Sequence, residues 1–234
     1  MAVGKTFDQV VHAVKLEAGW STHASTGRNM QEQIEHVLRR VYERTHEDFP
    51  WPHLLFERDI DLQAGQRHYS FPSDMDPNRV TGAWALEDEQ HVWREVDYGI
   101  TPAHWNTYSP ERDERADPVR AWERHNTGEG AVMVEVWPVP RTSTGVLRIQ
   151  GMPYAKRLVS ESDIVDLDDQ MLALQAAGEL LARQGSADAE MKLQQAERRY
   201  QQLRSNQHGS NPQFSMNPKR RRTPAGVQVR APRT

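Results

Sequence analysis

The chain has 234 residues, with 29 Lys plus Arg against 33 Asp plus Glu, a net charge of −4 and no cysteine. This length can bury a real core as one large domain or two small ones, and the lack of cysteine excludes disulfides and thiolate metal sites outright. An apolar fraction of 37 % and a mean hydropathy of −0.82 are low for a globular domain and point to exposed arms or wet interfaces; no apolar run approaches a signal or membrane-spanning length, so synthesis in the cytosol is expected.

In chain order, residues 6–18 read as a short helix. Thr6 and Gln9 have capping-box spacing, and Phe7, Val10, Val11 and Val14 fall at i, i+3, i+4 and i+7. A second helix is predicted from Asn29, with Met30, Ile34, Val37, Leu38, Val41 and Tyr42 as its apolar stripe. Phe49-Pro50-Trp51-Pro52 ends it, because proline cannot continue the hydrogen-bond ladder.

The period then changes. Leu54–Leu62 and Gln66–Phe71 read as a hairpin around Gly65, and Val80–Leu86 with Val92–Tyr98 as a second one. The stretch 101–118, with three prolines and many charges, is expected to be a long irregular loop. Val119–His125, Ala131–Trp137 and Gly145–Gly151 give further strands, with Gly128-Glu129-Gly130 as a turn. The total is an antiparallel region of roughly six or seven strands.

Helix returns near Asp168, where Asp166, Asp168 and Asp169 suit the positive end of a helix dipole, followed by an Ala- and Leu-rich stretch to Leu181. Gly185 interrupts, and a last helix over 187–204 carries Met191, Leu193, Ala196, Tyr200 and Leu203. The fold class is therefore α+β: a helical bundle core with an inserted antiparallel β domain and an extended C-terminal arm. The expected boundaries are 1–48 for the N-terminal helices, 49–165 for the β domain, 166–205 for the closing helix pair and 206–234 for the arm.

A search for chemistry finds little. Ten histidines are present, but none forms a His-x-x-x-His pair, so zinc has no helical seat and no metal or cofactor is expected. There is no nucleophile elbow and no glycine-rich phosphate loop. Close carboxylates such as Asp59/Asp61 carry little information in a chain with 26 % charged residues. The expectation is a protein that is not an enzyme.

The charge distribution is more informative. Residues 206–234 hold six basic side chains (Lys219, Arg220, Arg221, Arg222, Arg230, Arg233) and no acid, which leaves −10 for residues 1–205. Four prolines break this tail, so it cannot form a core of its own. Fully extended, it reaches on the order of 95 Å at about 3.3 Å per residue. Val227-Gln228-Val229 between arginines is suited to adding a strand to a partner's sheet edge, with main-chain bonds for affinity.

The order of these features resembles the head-to-tail adaptor (connector) proteins of tailed bacteriophages. The features are the amphipathic helices, the Phe49-Pro50-Trp51-Pro52 entry, the Tyr69-Ser70-Phe71-Pro72-Ser73-Asp74 exit, the Ala116-Asp117-Pro118 step before Trp122, the Val136-Trp137-Pro138-Val139-Pro140 strand end and the Ala-rich C-terminal helices. The resemblance covers roughly residues 28–205, and the helix at 6–18 has no place in it. It implies a structural virion protein at the head–tail interface: a homo-oligomeric ring, commonly a dodecamer, between the portal protein and a tail or nozzle protein, with no membrane involved. By position and character the arm matches the portal-binding segment, through Phe214, Lys219, Arg220, Arg221, Arg222, Val227, Val229, Arg230 and Arg233. Ring contacts between subunits are expected at Arg198, Arg199 and Tyr200 of the last helix and at Trp105 and Tyr108 of the proline-rich loop.

Double-stranded DNA would pass through such a ring without specific binding. An acidic body repels phosphates, whereas basic walls would hold them by counterion release; acids of the pair 166–204 or of the β loops are the expected lining. Two alternatives remain open at this point. One is a nucleic-acid-binding protein that clamps phosphates with Lys219–Arg222, although no aromatics are interleaved there. The other is a stopper or tail-completion ring protein of the same particle.

Overall fold

The computed structural model describes residues 4–20, 28–87, 92–126, 128 and 132–208. It is α+β, with five α-helices and eight strands among these residues.

Helix α1 (Phe7–Glu17) starts where the capping box predicts: Thr6 Oγ1 accepts from Gln9 N at 3.4 Å, and Gln9 Oε1 accepts from Thr6 N at 3.1 Å. Its Phe7, Val10, Val11 and Val14 are all buried, mainly against α4. Helix α2 (Arg28–Asp48) buries Ile34, Val37, Leu38, Val41 and Tyr42, as its stripe predicts. Trp51 then folds back, and its indole N–H donates to the Thr45 carbonyl at 3.0 Å. Helices α4 (Asp169–Arg183) and α5 (Asp188–His208) form an antiparallel pair around the left-handed Gly185. The four long helices share one apolar cluster, to which Trp51, Met152, Leu158, Val165 and Leu167 also contribute.

Residue Gly178 decides how close α4 and α5 come. A Cβ there would lie 2.8 Å from Leu193 Cγ and 3.2 Å from Leu193 N, so the bare backbone is what lets the two helices meet. Along α5 the buried positions are Ala189, Ala196 and Leu203, seven residues apart, whereas Met191, expected on the apolar side, is 49 % exposed.

Between α2 and α4 lies a sandwich of two four-stranded sheets. One has the order β1 (Phe56–Asp61), β8 (Val146–Gly151), β3 (Val80–Glu87), β4 (Val92–Glu95). The other runs β2 (His68–Ser70), β7 (Val132–Trp137), β6 (Ala121–Asn126), β5 (Asp97–Tyr98). Every pairing is antiparallel except β5 with β6. The inner faces meet in a second apolar cluster that includes Tyr69, Met75, Trp122, Val134, Val136, Leu147 and Ile149.

The expected hairpin of 54–62 with 66–71 does not form. β1 pairs with β8 and β2 with β7, so the chain crosses from one sheet to the other at Leu62–Arg67. The crossing is held by long-range bonds: Leu62 N to Gly145 O at 2.9 Å and Gly65 N to Pro140 O at 2.9 Å. The Tyr69 hydroxyl, inside the crossing, accepts from Gln63 N at 3.0 Å and lies 3.0 Å from Gln66 O. The turn at Gly65 is real, with φ +78°, but a sandwich needs its apolar rows on two facing sheets, and Leu62 at the corner is buried between them.

The stretch 101–118, expected to be irregular, carries helix α3 (Pro102–Thr107) and a 3-10 turn at Pro110–Arg112. It is pinned on Trp137: the Trp137 indole N–H donates to the Tyr108 carbonyl at 3.2 Å, and the His104 ring lies 4.5 Å away. The peptides Asp117–Pro118 and Trp137–Pro138 are cis.

Candidate functional site

Three acids gather where α4 begins, and all are buried. Asp168 caps α4 by accepting from Met171 N at 3.0 Å, and its carboxylate also takes Arg199 Nη2 at 2.9 Å from α5. Asp166 accepts from the Tyr42 hydroxyl at 2.7 Å and pairs with Lys156 at 3.1 Å, while Asp169 pairs with Lys5. Burial, and then the bond to Asp166, push the Tyr42 phenol far above its ordinary value. These carboxylates are spent inside the subunit, on Tyr42 of α2, Arg199 of α5, Lys156 and Lys5 ahead of α1, and contribute little to its exposed acidic surface. The acids that α5 does expose are Asp188, Glu190 and Glu197.

Of the residues expected at subunit contacts, Arg198 is exposed on α5. Arg199 is turned inward to Asp168, and Tyr200 packs edge-on to Trp51 with ring centroids 6.1 Å apart. Next along α5, the Arg204 guanidinium stacks over Phe49 at 5.3 Å and over Tyr200 at 5.4 Å. The later part of α5 is thus fastened to the Phe49–Trp51 segment.

Trp105 and Tyr108 lie beside the sandwich, both half-buried. Arg67 lies over the Trp105 ring at 4.3 Å, and the Tyr108 ring lies 5.9 Å from Trp137. Arg67 and Trp105, with Asn106, Ser109, Pro110, Glu111 and Arg112, line a polar cleft of about 490 Å³. The structure therefore sets the two expected contact groups apart, one on the helices and one on the sandwich. The nine residues assigned to the arm, Phe214, Lys219, Arg220, Arg221, Arg222, Val227, Val229, Arg230 and Arg233, lie outside the described residues.

One joint escapes sequence reasoning altogether. Arg79, just before β3, contacts His46 Nδ1 at 2.9 Å and donates to the Phe49 carbonyl at 2.7 Å, both at the end of α2. Alongside it, Asp76 N donates to Met152 O at 2.8 Å and Met152 N to Arg79 O at 3.2 Å. Burial, with the guanidinium adding to it, pushes His46 down to about 4, so the imidazole is neutral and accepts at Nδ1. No spacing rule pairs residues 46 and 79.

A family model described as SU10 adaptor protein matches residues 5–224, nearly the whole chain. The chain belongs to this family of phage head-to-tail adaptors, and its structural role is that of a virion component. The match takes in α1, which the resemblance read from the sequence left out, in accord with the burial of that helix in the core. No curated protein matches the chain. Among the described residues no helix is long and apolar enough to cross a membrane.

Proposed function

We propose that this adaptor forms a dodecameric ring that docks on the portal protein through its C-terminal arm, residues 206–234, and joins it to a tail or nozzle protein. Helices from 1–48 and 166–205 build the ring body, with the β domain 49–165 inserted between them. The observation that carries this reading is the extent of the family match: it runs past α5 to residue 224 and so includes Phe214 and Lys219–Arg222. The basic, acid-free composition of the tail supports the same assignment, because an arm of that kind seeks an acidic or strand-edge partner.

Ring closure needs one face of the subunit to fit a different face of the next. Arg198 and the exposed side of α5 offer one such face, and the cleft beside Trp105 offers another. Arg199 and Tyr200 act from behind, fixing the helix that carries Arg198. Asp188, Glu190 and Glu197 are exposed acids that suit a wall along which DNA slides without binding.

The test is to mix portal with full-length protein or with a chain lacking 206–234 and to image the products. The full chain is expected to give a ring beneath the portal, and the truncated chain to remain folded but unattached. Equal attachment of both would refute the role of the arm. A gel shift at low and moderate salt checks the alternative: steeply salt-dependent DNA retention that vanishes with the arm would make the tail a phosphate clamp instead.

A further inference from the structure

The second sheet brings together three side chains that the sequence keeps apart. His68 on the edge strand β2 stands directly opposite Glu135 on β7, and His125 on β6 stands opposite the neighbouring Met133. Because side chains alternate along a strand, Glu135 shares its face with His68 and with Glu123, its partner on β6; His125, two residues beyond Glu123, shares it as well. His68 Nε2 lies 3.7 Å from Glu135 Oε2, His125 Nδ1 lies 3.5 Å from the same oxygen, and the two imidazole rings are 4.8 Å apart.

From this juxtaposition we infer that His68, His125 and Glu135 form a three-ligand site for a divalent transition ion of the zinc class. Two imidazoles and one carboxylate are a donor set that zinc takes readily, with a fourth position left for water. Tetrahedral zinc with bonds of about 2.0–2.1 Å holds its donors about 3.3 Å apart. The two distances to Glu135 are close to that, and all three donor atoms lie within 4.8 Å of one another, so a small turn of one imidazole completes the geometry.

Two further observations support the site. His68 Nε2 is buried without a hydrogen-bond partner, and a metal bond satisfies it. Arg67 Nε donates to the other Glu135 oxygen, Oε1, at 2.7 Å, which orients the carboxylate and leaves Oε2 turned to the histidines. Glu123 is already engaged by the Ile100 amide at 3.0 Å and is not a ligand. The guanidinium beside Glu135 opposes the added positive charge, so affinity is expected to be moderate. A bound ion would staple the three-residue edge strand β2 to β7 and β6.

The experiment uses the full chain without a polyhistidine tag, stripped with a chelator, and titrates Zn²⁺ by calorimetry with Mg²⁺ as the hard-ion control. One equivalent of Zn²⁺ is expected to bind, to raise the melting temperature by about 5 °C when free zinc is near a hundredfold over Kd, and to leave no trace with Mg²⁺. Co²⁺ should give a visible ligand-field spectrum at the same stoichiometry. His125→Ala, at a half-exposed position that leaves the core intact, should abolish all three signals, and His68→Ala should repeat the loss. Absence of a one-to-one Zn²⁺ signal, its persistence in folded His125→Ala, or an equal response to Mg²⁺ would overturn the assignment.

Discussion

The guanidinium of Arg79 sits 2.9 Å from His46 Nδ1 and so couples the end of α2 to the start of β3 in the sandwich. The bond needs a neutral imidazole, because a protonated ring has no lone pair to offer and would set one cation against another. His46 is 1 % exposed, so its protonation has to take place in the core.

This makes the joint sensitive to acid. His46 titrates at about 4 in the folded chain against an ordinary 6.5, so between these values the unfolded state binds the extra proton. Stability from this group is complete above pH 6.5, falls as pH drops towards 4 and then levels off, a loss of up to about 3 kcal/mol. His68, also held down by burial, acts in the same direction. His46→Asn, which keeps an acceptor for Arg79, should flatten the pH dependence of urea midpoints measured from pH 7 to pH 4.5. An unchanged slope would mean that His46 is not the group being titrated.

Arg199 holds a nearly inaccessible carboxylate. Asp168 is 1 % exposed at its side chain and Arg199 about one-third exposed, so removing the arginine strands a charge that also caps α4. Arg199→Ala should cost about 2–3 kcal/mol at neutral pH, seen as a fall of roughly 5–10 °C in melting temperature. The exposed neighbour Arg198→Ala serves as the comparison and should change stability by less than about 0.5 kcal/mol.

At Gly178, two effects of alanine oppose each other. Helix propensity favours it by about 0.5–1 kcal/mol, but the new Cβ would sit 2.8 Å from Leu193 Cγ. Overpacking of this kind costs about 1–3 kcal/mol, so Gly178→Ala should be destabilising on balance. Leu193→Ala in the same chain should relieve part of the clash, and a double-mutant cycle measures the coupling.

Tyr69 pins the passage between the sheets through its hydroxyl. Tyr69→Phe leaves Gln63 N and Gln66 O without that partner and should cost about 1–2 kcal/mol, with faster amide exchange confined to residues 62–68. Exchange rising evenly over the whole sandwich would show instead that the aromatic packing had been disturbed.

The sequence by itself was enough for several elements with a local signal, though not for the hairpin expected around Gly65. The capping box of Thr6 and Gln9, the stripe from Ile34 to Tyr42, and the β6–β7 hairpin around Gly128 form where spacing puts them, because their determinants lie within a turn or two of each other. The acid-free tail and the family-like order of elements were legible for the same reason. Strand partnership was not: the alternation in Phe56–Asp61 marks a strand but cannot say that β8, eighty-five residues on, is its neighbour. Only the packing of two apolar faces decided that β1 and β2 part company, and the same event placed Arg79 on His46 and set His68, His125 and Glu135 on one face. It also turned Asp166, Asp168 and Asp169 inward, where charge counting alone had pictured an open acidic surface. A carboxylate's solvent exposure depends on which helix comes to lie over it, and that is fixed by contacts far apart along the chain.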